Sequence, residues 1–302
     1  LVLILYVLIQ QLENNVLVAD GAMGSMLFEA AGLKSCFEEL NVLQPEAVFA
    51  VHQAYIQAGA QIIETNTFGA NRTKLAPLGL ADQVTTLNHR GVKIAREARE
   101  AAAHEVRIAG SIGPLGIGPE CEQRPRPEVL EIYREQALAL EERGVDLFLL
   151  ETFTSLEVLL TAIDAIRSFS GLPVVAQLTF SEEGTTMGGT RAAAAAAQLA
   201  TKNIQAIGAN CTLGPQSLLP ILEELATAGR PLSAMPNAGF PKRVGDRIVY
   251  PRSSPEYFNL FAREAAALGA RILGGCCGTT PEHIRAIADA VKNLPQRHDA
   301  TV

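Results

Sequence analysis

Short runs rich in Val, Ile and Leu recur eight times along the chain, and each is separated from the next by a longer segment. They are VLVAD (16–20), AQIIET (60–65), VRIAGSIG (106–113) and VDLFLLET (145–152), then PVVAQLTF (173–180), QAIGANCT (205–212), PLSAMPNAG (231–239) and RILGGCCG (271–278). Most are near-continuously apolar, as strands covered on both faces are. The segments between them carry helix signals. PEAVFAVHQAYIQAGA (45–60) has apolar residues at helical spacing and stops at Gly59, and PEVLEIYREQALALEERG (127–144) opens with Pro-Glu and closes with Arg-Gly. SLEVLLTAIDAIRSFSG (155–171), SLLPILEELATAG (217–229), SPEYFNLFAREAAALGA (254–270) and TPEHIRAIADAVKNL (280–294) follow the same plan. The alanine run at 192–197 is a strong helix former. Strand–helix alternation without long structureless gaps predicts parallel βαβ units. Eight of them in a chain of 302 residues predict an α/β fold, a single-domain (β/α)8 TIM barrel. An open doubly wound sheet is the competing architecture. It usually carries G-x-G-x-x-G after its first strand, and DGAMG (20–24) lacks that spacing.

The ends of the chain read differently from its middle. Residues 1–15 are expected to form an extension or packed helix, 16–293 the barrel, and 294–302 a tail or the start of a linker. The opening LVLILYVLIQ has nine apolar residues from Leu1 to Ile9, short of the about 20 needed to span a bilayer. It has no basic flank and no small-residue cleavage site, so no membrane or secretory address is expected. The chain reads as one module of something longer. A net charge of −7 argues against a nucleic-acid partner, which would need a basic surface. Five cysteines, an odd number, do not make a disulfide framework, and a cytoplasmic, reducing location is the natural expectation.

In such a barrel, chemistry sits at the C-terminal ends of the strands. The first run ends in Asp20, the second in Glu64-Thr65-Asn66, the fourth in Glu151-Thr152. The sixth ends in Asn210-Cys211, the seventh in Asn237, and the eighth in Cys276-Cys277. Three of the five cysteines thus gather at one rim, the right number of sulfurs for a zinc that keeps one position open for substrate. Neighbouring side chains on a strand diverge, so Cys276 and Cys277 can share an ion only if the backbone leaves strand geometry between them. Gly274, Gly275 and Gly278 permit that, and Thr280 with Pro281 then starts the last helix as N-cap and N1. The bland alternatives are small buried thiols or a strained vicinal disulfide. Cys36 and Cys121 fall in loop-like or helix-edge contexts and read as structural, and His52 and His283 as surface or packing residues.

Asp20 and Glu151 are carboxylates at strand ends, suited to an ammonium group or, in the bland reading, to a structural ion pair. The backbone N–H groups of Gly21, Ala22 and Met23 could bind a matching carboxylate as an anion nest. Together these describe an amino-acid zwitterion. Asn66 joins the candidate substrate-binding residues. Asn237 could give the metal a displaceable oxygen or simply form a turn.

VLVADGAMGSML, ETNTFGANRTKL, LLET, GANCTLGP, PNAG and GGCCGTTPEHI together resemble the homocysteine S-methyltransferase family, over about residues 16–293. CFEELNVLQPEAVFAVHQAYIQAGA (36–60) is especially similar to two multidomain groups, cobalamin-dependent methionine synthase and the homocysteine methyltransferase fused to methylenetetrahydrofolate reductase. Two departures are visible: the apolar leader, and Ser25 where Thr is common. The resemblance implies a zinc-dependent barrel enzyme of methionine biosynthesis, with Zn2+ on Cys211, Cys276 and Cys277 and homocysteine near Asp20, the following turn and Glu151. The implied reaction moves a methyl group from a donor to the zinc-bound thiolate of L-homocysteine, giving L-methionine. S-methylmethionine, betaine, methylcobalamin and a folate-linked route stay open as donors, and folate, cobalamin or reductase modules as partners in a longer parent. The rival readings are a non-catalytic zinc-binding or zinc-storage barrel, a methyltransferase acting on another small thiol, and a barrel aldolase. The last would want a Schiff-base Lys at a strand end, and none stands there.

Overall fold

A computed structural model describes residues 10–12, 14–32, 36–116, 124–239, 242–244, 247–249 and 253–294. The apolar leader 1–9, Cys121 and the tail from 295 lie outside the described residues. The eight apolar runs all contain strands: β1 (Leu17–Val18), β2 (Ile62–Glu64), β3 (Arg107–Ile112), β4 (Leu147–Phe153), β5 (Val174–Leu178), β6 (Ala206–Asn210) and β7 (Leu232–Met235), with the last run forming β10 (Ala270–Leu273). Between β7 and β10 lies an antiparallel pair that no apolar run predicts, β8 (Lys242–Val244) and β9 (Arg247–Val249).

The principal sheet runs β1-β10-β7-β6-β5-β4-β3-β2, every pairing parallel. A parallel bridge between Ala19 and Ile62 joins its two ends. Hydrogen bonds from Gln61 N to Val18 O (2.7 Å) and Asp20 N to Ile62 O (3.0 Å) seal the same seam. The sheet is therefore a barrel, as the alternation predicts.

Helices fill the crossovers: α1 (Met23–Ala31), α2 (Leu40–Leu43), α3 (Pro45–Gln57), α4 (Arg72–Leu75), α5 (Val84–Glu100), α6 (Arg126–Arg143), α7 (Leu156–Arg167), α8 (Ala192–Leu199), α9 (Pro215–Ala226), α10 (Pro255–Ala267) and α11 (Pro281–Lys292). Helix α5 carries few apolar residues and a glycine at its middle, but Val84, Leu87, Val92, Ile94, Ala95 and Ala98 bury one face. A Cβ on Gly91 would stand 2.7 Å from the Thr67 methyl, so this helix packs too closely for any larger residue there. At its start α11 has a reciprocal cap. The Thr280 hydroxyl and backbone N–H both meet His283 Nδ1, at 2.9 and 3.1 Å, while His283 Nε2 donates to Ser253 O at 2.7 Å. His283 is a buried capping residue, not a ligand of the cysteines.

Alternation along each strand divides the core in two. Leu17, Ala19, Ile62, Ala109, Leu147, Leu149, Val175, Ala206, Met235 and Ile272 fill the barrel interior. Val18, Ile63, Ile108, Phe148, Leu150, Val174, Ile207 and Leu273 face outward and pack under the helices. Among the described residues no helix is long and apolar enough to cross a membrane.

Candidate metal centre and substrate pocket

The same parity decides which strand-end residues reach the mouth. Two residues beyond the inward Ile62 comes Glu64, and two beyond Leu149 comes Glu151. Beyond Ala109 comes Ser111, and Asn210 continues the line of Ala206 and Gly208. Glu64, Ser111, Glu151 and Asn210 all line one cavity of about 320 Å³ at the C-terminal ends of the strands. Asp20 has the opposite parity, that of the outward Val18, and does not line the cavity. It lies 1% exposed behind the wall, where Oδ2 accepts the Glu64 N–H at 3.0 Å.

Where two neighbours both face the mouth, the backbone breaks strand geometry. Thr152, Cys211 and Thr212 are the non-glycine residues with positive φ among those described, at +60°, +57° and +54°. Such conformations cost ~1–3 kcal/mol each and persist only where their surroundings hold them. At Cys211 the left-handed turn lets its sulfur face the cavity together with the adjacent Asn210. Cys276 and Cys277 converge differently. Cys277 and Gly278 form a tight turn in which Gly278 has φ +79° and Thr279 N donates to Cys276 O at 3.1 Å. Gly275 is demanded by space rather than by φ, because a Cβ there would stand 2.5 Å from the Thr279 methyl.

The sulfurs of Cys211, Cys276 and Cys277 lie within 4.8 Å of one another, and Cys211 Sγ is 3.9 Å from Cys277 Sγ. A tetrahedral zinc with Zn–S bonds of about 2.3 Å holds its sulfurs about 3.8 Å apart, so this donor set fits a thiophilic ion. The sulfurs act on one another's ionisation unequally. Hydrogen bonds with Cys211 and Cys277, then burial, hold Cys276 well above the ordinary thiol range. Cys211 is helped by its hydrogen bond with Cys276, yet contact with Cys277 and burial push it up to about 12. A bound cation would make its coordinating thiols thiolates at neutral pH. Asn237 sits between the two cysteine segments, its N–H bonded to Leu213 O at 2.9 Å and the next N–H, of Ala238, to Cys277 O at 3.0 Å. Its Oδ1 is buried with no hydrogen-bond partner, although Asn237, unlike the cysteines, is not among the residues lining the cavity.

Across the cavity stand the carboxyls. Glu151 Oε1 accepts from Ser111 Oγ at 2.5 Å and Oε2 from Asn210 Nδ2 at 3.3 Å. Asp20 Oδ1 and Glu64 Oε1 are buried without any partner. Burial and then the Glu151 charge raise Glu64 well above the usual carboxylate range. Asp20 is raised as well, by burial against the opposing Glu64 N–H bond and by the Glu151 charge. Burial also raises Glu151, partly offset by its Ser111 bond. Among the described residues no Lys or Arg lines this cavity.

A family model described as homocysteine S-methyltransferase matches residues 17–291. The chain belongs to the homocysteine S-methyltransferase family. It is 35% identical over 311 residues to a methionine synthase of Mycobacterium leprae, an alignment covering 98% of this chain and 26% of that protein. It is 34% identical to a methionine synthase of Mycobacterium tuberculosis, with 96% of this chain and 26% of that protein covered. The chain thus spans about a quarter of the length of these relatives. Among solved structures, the metallated form of the homocysteine methyltransferase MmuM from Escherichia coli superposes with a TM-score of 0.79, at 25% identity, covering 95% of this chain and 99% of that one.

Within this member of the methyltransferase family, Cys211, Cys276, Cys277, Gly21, Ala22, Met23, Asn66 and Glu151 all border the cavity. Several sequence expectations need refinement. The Ala22 N–H is already bonded to Thr279 Oγ1 at 3.1 Å, so it is not free for a ligand. The N-terminus of α1, with no side-chain cap and with Met23, Gly24 and Ser25 on the cavity wall, presents N–H groups instead. Asn66 spends both amide hydrogens on Phe37 O (2.8 Å) and Asn41 Oδ1 (3.0 Å), pinning the segment before α2. Glu64 and Asn210 were not among the candidate site residues, although strand parity singles out both.

Proposed function

We propose that this chain is a zinc-dependent homocysteine S-methyltransferase, transferring a methyl group from a donor to the sulfur of L-homocysteine to give L-methionine. The observation that carries the proposal is one cavity walled by a three-thiol cluster on one side and buried, cation-deficient carboxyls on the other. A zinc ion held by Cys211, Cys276 and Cys277 would keep the substrate thiol ionised at neutral pH while leaving its sulfur electron-rich enough to attack. Asn237 Oδ1 is the oxygen that could occupy the fourth position until substrate displaces it. The substrate ammonium sits against Glu151 and Glu64, buried carboxyls with no Lys or Arg in ion-pair contact among the described residues, Lys74 acting on Glu151 only as a weak, more distant charge. Asp20 backs Glu64 from behind the wall. The substrate carboxylate lies at the N-terminus of α1, where unpaired N–H groups and the helix dipole favour an anion. Held at both ends, the amino acid presents its sulfur to the donor in a fixed orientation, and most of the residues' contribution is this positioning.

The methyl donor has no identified site among the described residues. The methionine synthase relatives extend well beyond the aligned region, and donor delivery by another module at the cavity mouth is part of this proposal. Purified protein incubated with homocysteine and, separately, S-methylmethionine, betaine, methylcobalamin and a methylated folate should form methionine with at least one. Cys277→Ala should lose tightly bound zinc and activity together. Full activity in a metal-free preparation would end the proposal.

A further inference from the structure

Asn210 is 1% exposed, and its carboxamide touches both halves of the site. Its Oδ1 accepts the N–H of Thr152 at 2.7 Å. Its Nδ2 faces three acceptors: Thr152 Oγ1 at 2.8 Å, Glu151 Oε2 at 3.3 Å and Cys276 Sγ at 3.9 Å. An amide nitrogen has two hydrogens. One is committed to the short bond with Thr152, and the other is contested between a carboxylate oxygen and a sulfur. Loop slack cannot relieve the contest. Asn210 ends β6, its own carbonyl accepts Thr179 Oγ1 at 2.6 Å, and it clamps Thr152 in a left-handed conformation beside Glu151.

We propose that Asn210 is a positioning residue that couples metal loading at the cysteines to amino-acid binding at Glu151. The inference rests on the functional reading above. At 3.3 Å against 3.9 Å, the contested hydrogen lies with Glu151 Oε2 rather than with Cys276 Sγ in this structure. A metal held by Cys276 would give its sulfur thiolate character, to which an N–H bond is charge-assisted and stronger. The hydrogen moves toward Cys276, and Glu151 Oε2 is released to accept from the substrate ammonium. Groups around a metal site that orient its ligands in this way commonly tune affinity. Linkage makes the effect reciprocal: an ammonium that engages Glu151 frees the hydrogen for sulfur and tightens the metal.

L-Norleucine has the ammonium and carboxylate of homocysteine and no sulfur to ligate the metal, so it isolates the coupling. By calorimetric titration, zinc-loaded wild-type protein should bind norleucine about five- to tenfold more tightly than metal-free protein. Zinc affinity, read by competition with a chromogenic chelator, should rise by the same factor when norleucine is saturating. In Asn210→Leu both factors should fall to near one. Asn210→Asp keeps an oxygen for the Thr152 N–H and loses the hydrogens offered to Glu151 and Cys276. It should therefore keep the wild-type fold by circular dichroism and still lose the coupling, which a merely structural role would not produce. Norleucine affinity indifferent to zinc in the wild type, or coupling that survives in both variants, would overturn the inference. Failure of zinc-loaded wild type to bind homocysteine at all would instead overturn the proposed function on which it rests.

Discussion

Glu64 shows how one residue at a strand end can matter more than its sequence context suggests. Its Oε1 is buried without a partner, and burial together with the charges of Glu151 and Asp20 favours its neutral form. A carboxyl whose folded pKa is raised contributes stability that is fully present below its ordinary value near 4.5 and is lost as pH rises through the folded pKa. Substrate-free protein should therefore melt at falling temperatures as pH is raised above that range. Glu64→Gln, which cannot ionise, should flatten the decline, and thermal melts of both proteins from pH 5 to 9 decide it. Parallel profiles would show that Glu64 does not carry the effect. In the proposed complex the same substitution removes a partner of the substrate ammonium, so KM for homocysteine should rise about tenfold with kcat less affected. AQIIET ends in Glu64-Thr65 with Asn66 next, and the period of two from the apolar Ile62 is the clue that points Glu64 inward. The clue for Asp20 was the same, with the opposite answer: one step past inward Ala19, it falls behind the wall. The left-handed Cys211 was not legible, because nothing in GANCT announces that a non-glycine residue will reverse the strand's parity.

Elements were legible wherever apolar density was high. All eight buried strands stand in the runs that predict them, since strands covered on both faces leave a continuous apolar trace. Helix α5 and the β8–β9 pair left weaker traces. The first is mostly polar with Gly91 at its centre, and the second is a short antiparallel ribbon inside a crossover. Two elements carry predictions of their own. In the turn after β10, Thr279 Oγ1 donates to Cys276 O at 2.7 Å and accepts from Ala22 N at 3.1 Å, tying the cysteine pair to the start of α1. Gly275→Ala would push a methyl into that threonine. It should cost about 1–3 kcal/mol of stability, seen in denaturant unfolding, and weaken zinc retention during dialysis against a mild chelator. Unchanged zinc retention would show the turn to be looser than its packing. In α3, His52 is fully buried with both ring nitrogens unpartnered, and burial pushes its pKa down to about 4 from 6.5. The unfolded chain binds a proton near pH 6.5 that the folded one resists until about 4, so stability falls as pH drops through that window. The loss is about 3 kcal/mol at its limit. His52→Leu should abolish this acid-side loss, and a melting temperature that still falls equally between pH 6.5 and 4 would assign the loss to other groups.

At the scale of the whole barrel, the site lies across its weakest seam. β1 is two residues long and meets β2 through a bridge at Ala19 and Ile62 rather than a full ladder. Its other edge is held by Ala19 N to Leu273 O at 2.7 Å and, just beyond, Gly275 N to Asp20 O at 3.0 Å. Substrate bound as proposed would touch α1 and Glu64 on the two sides of that seam, and its sulfur would join the cysteines that follow β6 and β10. Occupancy then adds a strap where the backbone ladder is thinnest. Local opening draws on the least-connected elements, and a ligand suppresses those openings that disrupt its own contacts. At a hundredfold excess over its Kd, homocysteine should stabilise the zinc-loaded protein by about 2.7 kcal/mol, a melting rise of roughly 5–10 °C. Amide exchange should slow most at Ala19, Asp20 and Gln61, which bond across the two edges of β1. It should change little at Phe148 and Leu149 in β4, where the ladder to β3 and β5 is continuous through those residues and needs no help. Uniform slowing over both regions would mean that the barrel opens only globally, and that the seam between β1 and β2 is no weaker than the rest.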